Sequence, residues 1–214
     1  DNRSKISPSA NMSNPLLLGL RTGIISRVPA NDLGRYIQNR VRFCGVSDDY
    51  LVYDKSKDAR LGIYYYEYGA HPRKPNVVYD RKNTAFTEIS IDDFPDEMFT
   101  SARCFHTTGI TLALGQKTRK TAIEMIKRFK ESGTLISFDV NFRGNLWTGD
   151  EARECIEQIL PYVDVFFCSE DTARLTFKKE GTVQDMMRSF TKDYNISVRA
   201  VHTAHPIYTR HRSR

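Results

Sequence analysis

Long apolar runs are missing from this chain of 214 residues. None approaches the roughly 18–20 residues that a helical membrane span needs. The opening stretch, Asp1 to Ala10, is polar and shows no apolar leader, so a cytoplasmic location is expected. Cysteine is sparse: Cys44, Cys104, Cys155 and Cys168 form no C-x-x-C pair and have no zinc-site spacing. Cys44 and Cys168 lie in apolar surroundings and read as buried, reduced thiols. Internal repeats and low-complexity tracts are absent too. With 40% hydrophobic and 27% charged residues, disordered, collagen-like and disulfide-scaffold classes are excluded.

The positive charge is local. Lys and Arg number 32 against 26 acids, for a net +6, but Arg199–Arg214 holds four arginines and no acid. The body is therefore nearly balanced. Basic residues interleaved with aromatics, as a nucleic-acid binder would show, do not run through it. The tail has neither helical nor strand periodicity. It reads as a disordered or aberrant end, as from a misread frame, and less well as an anion-binding arm.

What is present is an α/β rhythm. Thr22–Val28 reads as a strand, and Arg35–Arg42 as a helix with N-caps available at Asn31 and Asp32 and Gly45 closing it. Tyr50–Asp54, Leu61–Tyr68 and Val77–Arg81 read as three strands without an intervening helix, hence an antiparallel sheet. From Cys104 onward strands and helices alternate. Strands are expected at Cys104–Thr108, Leu135–Val140 and Val163–Cys168. Helices are expected at Gln116–Lys130, with Ala122, Ile123, Ile126 and Phe129 inward, at Asp150–Leu160, from Ser169 through Phe177, and at Thr182–Phe190. Alternation of this kind implies βαβ units on a parallel sheet, with ligands at the carboxyl ends of the strands.

Two places carry candidate chemistry. Arg143 follows the strand Leu135–Val140 in the run S-F-D-V-N-F-R-x-x-L-W. A guanidinium there either clamps an anionic substrate or pairs with Asp139, and the spacing does not choose. In the antiparallel insert, Tyr64, Tyr66 and Tyr68 share one face, as do Tyr79 and Arg81. Such a face suits a polyhydroxy acid, although aromatic residues also favour strands for their own sake.

Ordered matches resemble the PfkB/ribokinase superfamily of sugar kinases, and within it the 2-keto-3-deoxygluconate kinases. They are L-G-L-R-T-G at 18–23, V-P-A-N-D-L-G-R-Y-I at 28–37, G-V at 45–46, G-I-Y at 62–64, V-V-Y-D-R at 77–81, H-T-T-G-I-T-L-A-L at 106–114, D-V-N-F-R at 139–143 with L-W at 146–147, and S-E-D-T-A-R at 169–174. The resemblance spans about residues 10–198. It implies a ribokinase-like three-layer α/β/α body with a mostly parallel sheet, an antiparallel β lid over about 49–88, and a basic tail at 199–214. It also implies a homodimer through the lid. The implied reaction is ATP-dependent phosphorylation of a sugar acid, 2-keto-3-deoxygluconate to its 6-phosphate, with Mg²⁺. By the same resemblance Tyr64, Tyr79, Arg81 and Arg143 contact the substrate, Ile110 lines the cavity, and Asn11 falls near the N-terminal substrate-contacting asparagine.

Three departures accompany the match. Asn14-Pro15 stands within an expected helix, and the spacing from Asn11 to Gly19 is one residue short. The metal-organising N-x-x-E element reads S-E-D-T at 169–172. No G-A-G-D motif, the source of the family's base and anion hole, occurs in the sequence. The 214-residue chain is therefore expected not to turn over. A kinase for a neutral sugar such as fructose or ribose, and a non-catalytic sugar-acid-binding fragment, are the alternative readings. Neither nucleic acid nor membrane is an expected partner.

Overall fold

The computed structural model describes residues 19–194 and 196, and the backbone of 198–202. Asn11 and the tail from residue 203 onward lie outside the described residues. The chain forms two compact units, one up to Met98 and the other from Phe99.

In the first unit β1 (Gly23–Pro29) leads into α1 (Asp32–Phe43). Asn31 caps that helix, its Oδ1 accepting the Leu33 and Gly34 amides at 3.1 and 3.2 Å. Gly34 has no substitute, because a Cβ there would sit 1.9 Å from the Pro29 carbonyl oxygen. Gly45, at φ +71°, ends the helix as expected. Ile24, Val41 and Val46 form a small core, with Ile37 and Cys44 packed against it. Cys44 is only partly buried, short of the full burial expected for it.

β2 (Ser47–Asp54) corrects the sequence reading. It pairs with β1 in parallel, from Ile25 opposite Tyr50 to Pro29 opposite Asp54, and is not part of an antiparallel sheet. An alternating strand pattern fixes which face is buried but does not name the neighbour. The antiparallel lid is the hairpin of β3 (Ile63–Glu67) and β4 (Asn76–Asp80). Arg27 ties the end of this unit together. Its Nη1 donates to Asp93 at 3.0 Å and its Nε to Asp54 at 3.2 Å.

In the second unit β5 (Cys104–Thr108), β6 (Leu135–Asp139), β7 (Val165–Ser169) and β8 (Val198–His202) form one parallel sheet in that order. β8 overturns the boundary placed at residue 198. Arg199–His202 continues a strand, paired from Val198 opposite Val165 to His202 opposite Ser169. An arginine and a histidine in a five-residue edge segment hide the β signal.

Helices pack on this sheet by apolar stripes. α3 (Gly109–Ala113) follows β5 directly, and α4 (Gln116–Glu131) buries Thr118, Thr121, Ala122, Met125, Ile126 and Phe129. Its inward face is therefore turned toward Thr118 and Met125, leaving Ile123 only half-buried. Phe129 stacks on Phe105 with centroids 4.5 Å apart. Thr148 and Glu151 cap α5 (Gly149–Glu157) reciprocally. That helix stops short of the expected Leu160, and Leu160–Tyr162, carrying Pro161, forms a 3₁₀ turn instead. Ser169 caps α6 (Glu170–Leu175) as expected, and α7 (Val183–Tyr194) sets Phe190 4.9 Å from Phe166 and 5.3 Å from Phe177. This is an α/β chain with a mostly parallel sheet.

Candidate functional site

The lid carries one set of predicted residues. Tyr64 stands directly opposite Tyr79 in the β3–β4 register, so the two side chains share a face. Their ring centroids are 6.2 Å apart. Arg81 lies over the Tyr79 ring, its guanidinium carbon 4.4 Å from the centroid. Tyr66 meets Tyr68 edge-on at 4.9 Å. The expected tyrosine–arginine face therefore exists, and it is exposed: Tyr64 at 40%, Tyr79 at 46% and Tyr68 at 76%. An aromatic face with a cation at one end can stack on a sugar ring while holding an anion.

The second unit carries another set at the carboxyl ends of its strands. Gly109 joins β5 to α3, and a Cβ on it would lie 2.1 Å from the Val140 carbonyl oxygen. Only glycine permits this contact between the two strand ends. Ile110 follows, half-buried in the first turn of α3. β6 ends at Asp139. Val140 is fully buried and its N–H donates to the Phe167 carbonyl at 3.0 Å. Asn141 then turns the chain at φ +39°.

Arg143 follows, exposed, with its carbonyl accepting the Leu146 amide at 2.9 Å. Among the described residues its guanidinium has no hydrogen bond or ion pair. Asp139 is not paired with it; the Asp139 Oδ1 accepts the Asn141 amide at 3.1 Å. The Arg143–Asp139 pair offered as the structural alternative is not formed among the described residues. Asn141 is the residue whose contribution the sequence reading underestimated. The available signal was asparagine just past a strand, the side chain that best tolerates a positive φ.

A metal site fits less well. Glu170, in the position of the altered N-x-x-E element, accepts from Arg174 at 2.7 Å. Among the described residues no three histidines, cysteines or carboxylates converge. These residues do not by themselves build a Mg²⁺ site. Nor is any described helix long and apolar enough to cross a membrane.

Comparison with known proteins shows the family. Residues 10–206 match the pfkB family carbohydrate kinases. The chain belongs to that family. It is 34% identical over 178 residues to a 2-dehydro-3-deoxygalactonokinase of Haloferax volcanii, covering 83% of this chain and 55% of the relative. The crystal structure of a 2-dehydro-3-deoxygluconokinase from Thermotoga maritima superposes with a TM-score of 0.80 at 31% identity, covering 88% of this chain and 59% of that one. An uncharacterized sugar kinase from Pyrococcus horikoshii in complex with ATP shares the fold, with a TM-score of 0.70 at 22% identity, over 80% of this chain and 55% of that one. The chain spans about half the length of the curated relatives it matches.

Proposed function

We propose that this pfkB-family chain recognises a 2-keto-3-deoxy sugar acid for ATP-dependent phosphorylation. The observation that carries the reading is Arg143. It is a guanidinium without a protein partner among the described residues, held just past the carboxyl end of a parallel strand. An uncommitted arginine at such an edge suits a carboxylate, which it can grip with two parallel hydrogen bonds. Arg81 over Tyr79 supplies a second cation, and Tyr64 and Tyr79 a face for the carbon skeleton. Ile110 offers an apolar wall and Asn11 a further polar contact. The names of the Haloferax and Thermotoga relatives, both keto-deoxy sugar acid kinases, support the same substrate class.

In the reaction as proposed, Arg143 orients the acid so that its distal hydroxymethyl group meets the terminal phosphate of ATP. Phosphoryl transfer depends mainly on such positioning and on charge stabilisation. ATP enters as its Mg²⁺ complex, and the described residues supply no step for the ion. The sequence holds no G-A-G-D motif, so the 214-residue chain is proposed to bind sugar acid without turning it over. The β3–β4 hairpin is exposed on both faces, including Tyr65, Val78 and Ile63. A two-stranded hairpin is marginal by itself, so a homodimer through the lid is part of the proposal. All four cysteines are free, in keeping with a reducing cytoplasm.

The test is calorimetric titration of the chain with 2-keto-3-deoxygluconate and with fructose, beside a phosphorylation assay with MgATP. The reading expects the acid to bind more tightly than the ketose, and no 6-phosphate to form. Equal affinities would favour a neutral-sugar kinase. Turnover would overturn the proposed inactivity.

A further inference from the structure

Between β6 and α5 the chain makes a short connection, with Arg143 midway, and both of its ends are pinned. At the near end the Val140 amide is bonded to Phe167 and its carbonyl lies against Gly109. At the far end Trp147 is buried and Thr148 caps the next helix with Glu151. Only Asn141 departs from ordinary backbone geometry in this stretch, at φ +39°. Its amide is held by the Asp139 side chain two residues back, a turn in which a carboxylate replaces a backbone acceptor.

Asp139 has two possible uses in this stretch. Paired with Arg143, it would neutralise the cation and weaken it toward an anion. Bonded to the Asn141 amide and apart from Arg143, it fixes the direction in which the chain leaves the sheet. The second arrangement is the one present. A guanidinium grips a carboxylate through a planar fork, so its affinity depends on where the backbone presents it. A connection already held in its binding geometry loses less freedom when the ligand arrives.

We propose that Asp139 is a positioning residue for Arg143. It acts through its hydrogen bond to the Asn141 amide and the left-handed backbone at that position. The inference rests on the reading of Arg143 as a carboxylate-binding residue, and it adds the group that sets how tightly that residue binds.

A double-mutant cycle tests it, read by calorimetric titration of the 214-residue chain with 2-keto-3-deoxygluconate. Arg143→Ala and Asp139→Ala are each expected to weaken binding by about tenfold, the scale of one charge-assisted hydrogen bond. The double variant should be no weaker than Arg143→Ala alone, because Asp139 then has nothing left to position. Asp139→Asn keeps the acceptor oxygen and should stay within about twofold of the parent. Asn141→Gly, which accepts a positive φ, should do the same, whereas Asn141→Val should resemble Asp139→Ala. Losses that multiply in the double variant, or parent-like binding by Asp139→Ala, overturn the inference. Undiminished binding by Arg143→Ala, or no binding by the parent chain, would instead remove the reading beneath it. Hydrogen exchange at the Asn141 amide decides the turn separately. It should be slow in the parent and in Asp139→Asn and fast in Asp139→Ala. Equal rates in the parent and Asp139→Ala overturn the inference whether or not sugar acid binds.

Discussion

Arg81 lies over the ring of Tyr79, its guanidinium carbon 4.4 Å from the ring centroid. Tyr79 in turn faces Tyr64 across the hairpin. The contact holds a cation against an aromatic face on an exposed lid. It therefore orients Arg81 against the ring.

The first prediction follows from that contact. Tyr79→Phe keeps the ring face and should leave sugar-acid affinity within about threefold, since the cation–π contribution is retained. Tyr79→Ala removes the support and should approach Arg81→Ala in effect. Titration with 2-keto-3-deoxygluconate measures all three. Equal losses for Tyr79→Phe and Tyr79→Ala would show that the hydroxyl matters and the ring does not.

A second prediction concerns Gly109. A methyl group there meets the Val140 carbonyl oxygen at 2.1 Å, a backbone atom that cannot swing aside. Gly109→Ala should cost on the order of 3 kcal/mol or prevent folding, as overpacking against backbone does. Gly149→Ala is the control. It lies in the first turn of α5, where the nearest atom to a new Cβ is 3.7 Å away. Chemical denaturation should find it neutral or slightly stabilised. Similar stabilities for the two variants would contradict the close approach of the strand ends.

Acid should act through Asp54. Its carboxylate accepts the Ser56 amide at 2.9 Å and the Ser56 hydroxyl at 2.7 Å, and Arg27 pairs with it as well. These bonds, those from Ser56 foremost, hold its pKa below the ordinary value near 3.8. The folded pKa lies below the unfolded one, so the stabilisation is fully present above the unfolded value. It is lost as pH falls through the folded value. Urea unfolding of the parent and Asp54→Asn should differ at pH 6 and converge as pH falls through the depressed folded value. A gap that persists in acid would assign Asp54 a role unrelated to its charge.

Thiol chemistry distinguishes the cysteines. Burial pushes Cys168 up to about 12, and neighbouring Asp139 adds to the shift. Cys155 is buried and raised as well; desolvation also raises Cys104, but that residue is exposed. Pulsed iodoacetamide at pH 8, read by mass spectrometry, should label Cys104 first and reach Cys155 and Cys168 only with unfolding. Early labelling of Cys168 would contradict its place in the core.

Much of this was legible along the chain, and the residues show why. Asn31, Gly45 and Ser169 mark element ends by local chemistry, which needs no knowledge of the fold. The tyrosines of the lid share a face by simple alternation. β2 was misassigned because Tyr50–Asp54 alternates equally well beside a parallel or an antiparallel neighbour. β8 was missed because Arg199 and His202 interrupt a short strand that its pairing with β7 nonetheless stabilises. Whether Arg143 pairs with Asp139 depends on where the backbone turn at Asn141 carries it, and spacing alone carries no such information.

The central claim is that Arg81 and Arg143 recognise a carboxylate. The most direct measurement titrates the Arg81→Ala/Arg143→Ala double variant and the parent chain with 2-keto-3-deoxygluconate and with fructose. The account predicts a loss of about a hundredfold or more for the acid, the scale of two charge-assisted contacts, and little change for the ketose. Equal losses for both sugars, or none for the acid, would contradict it.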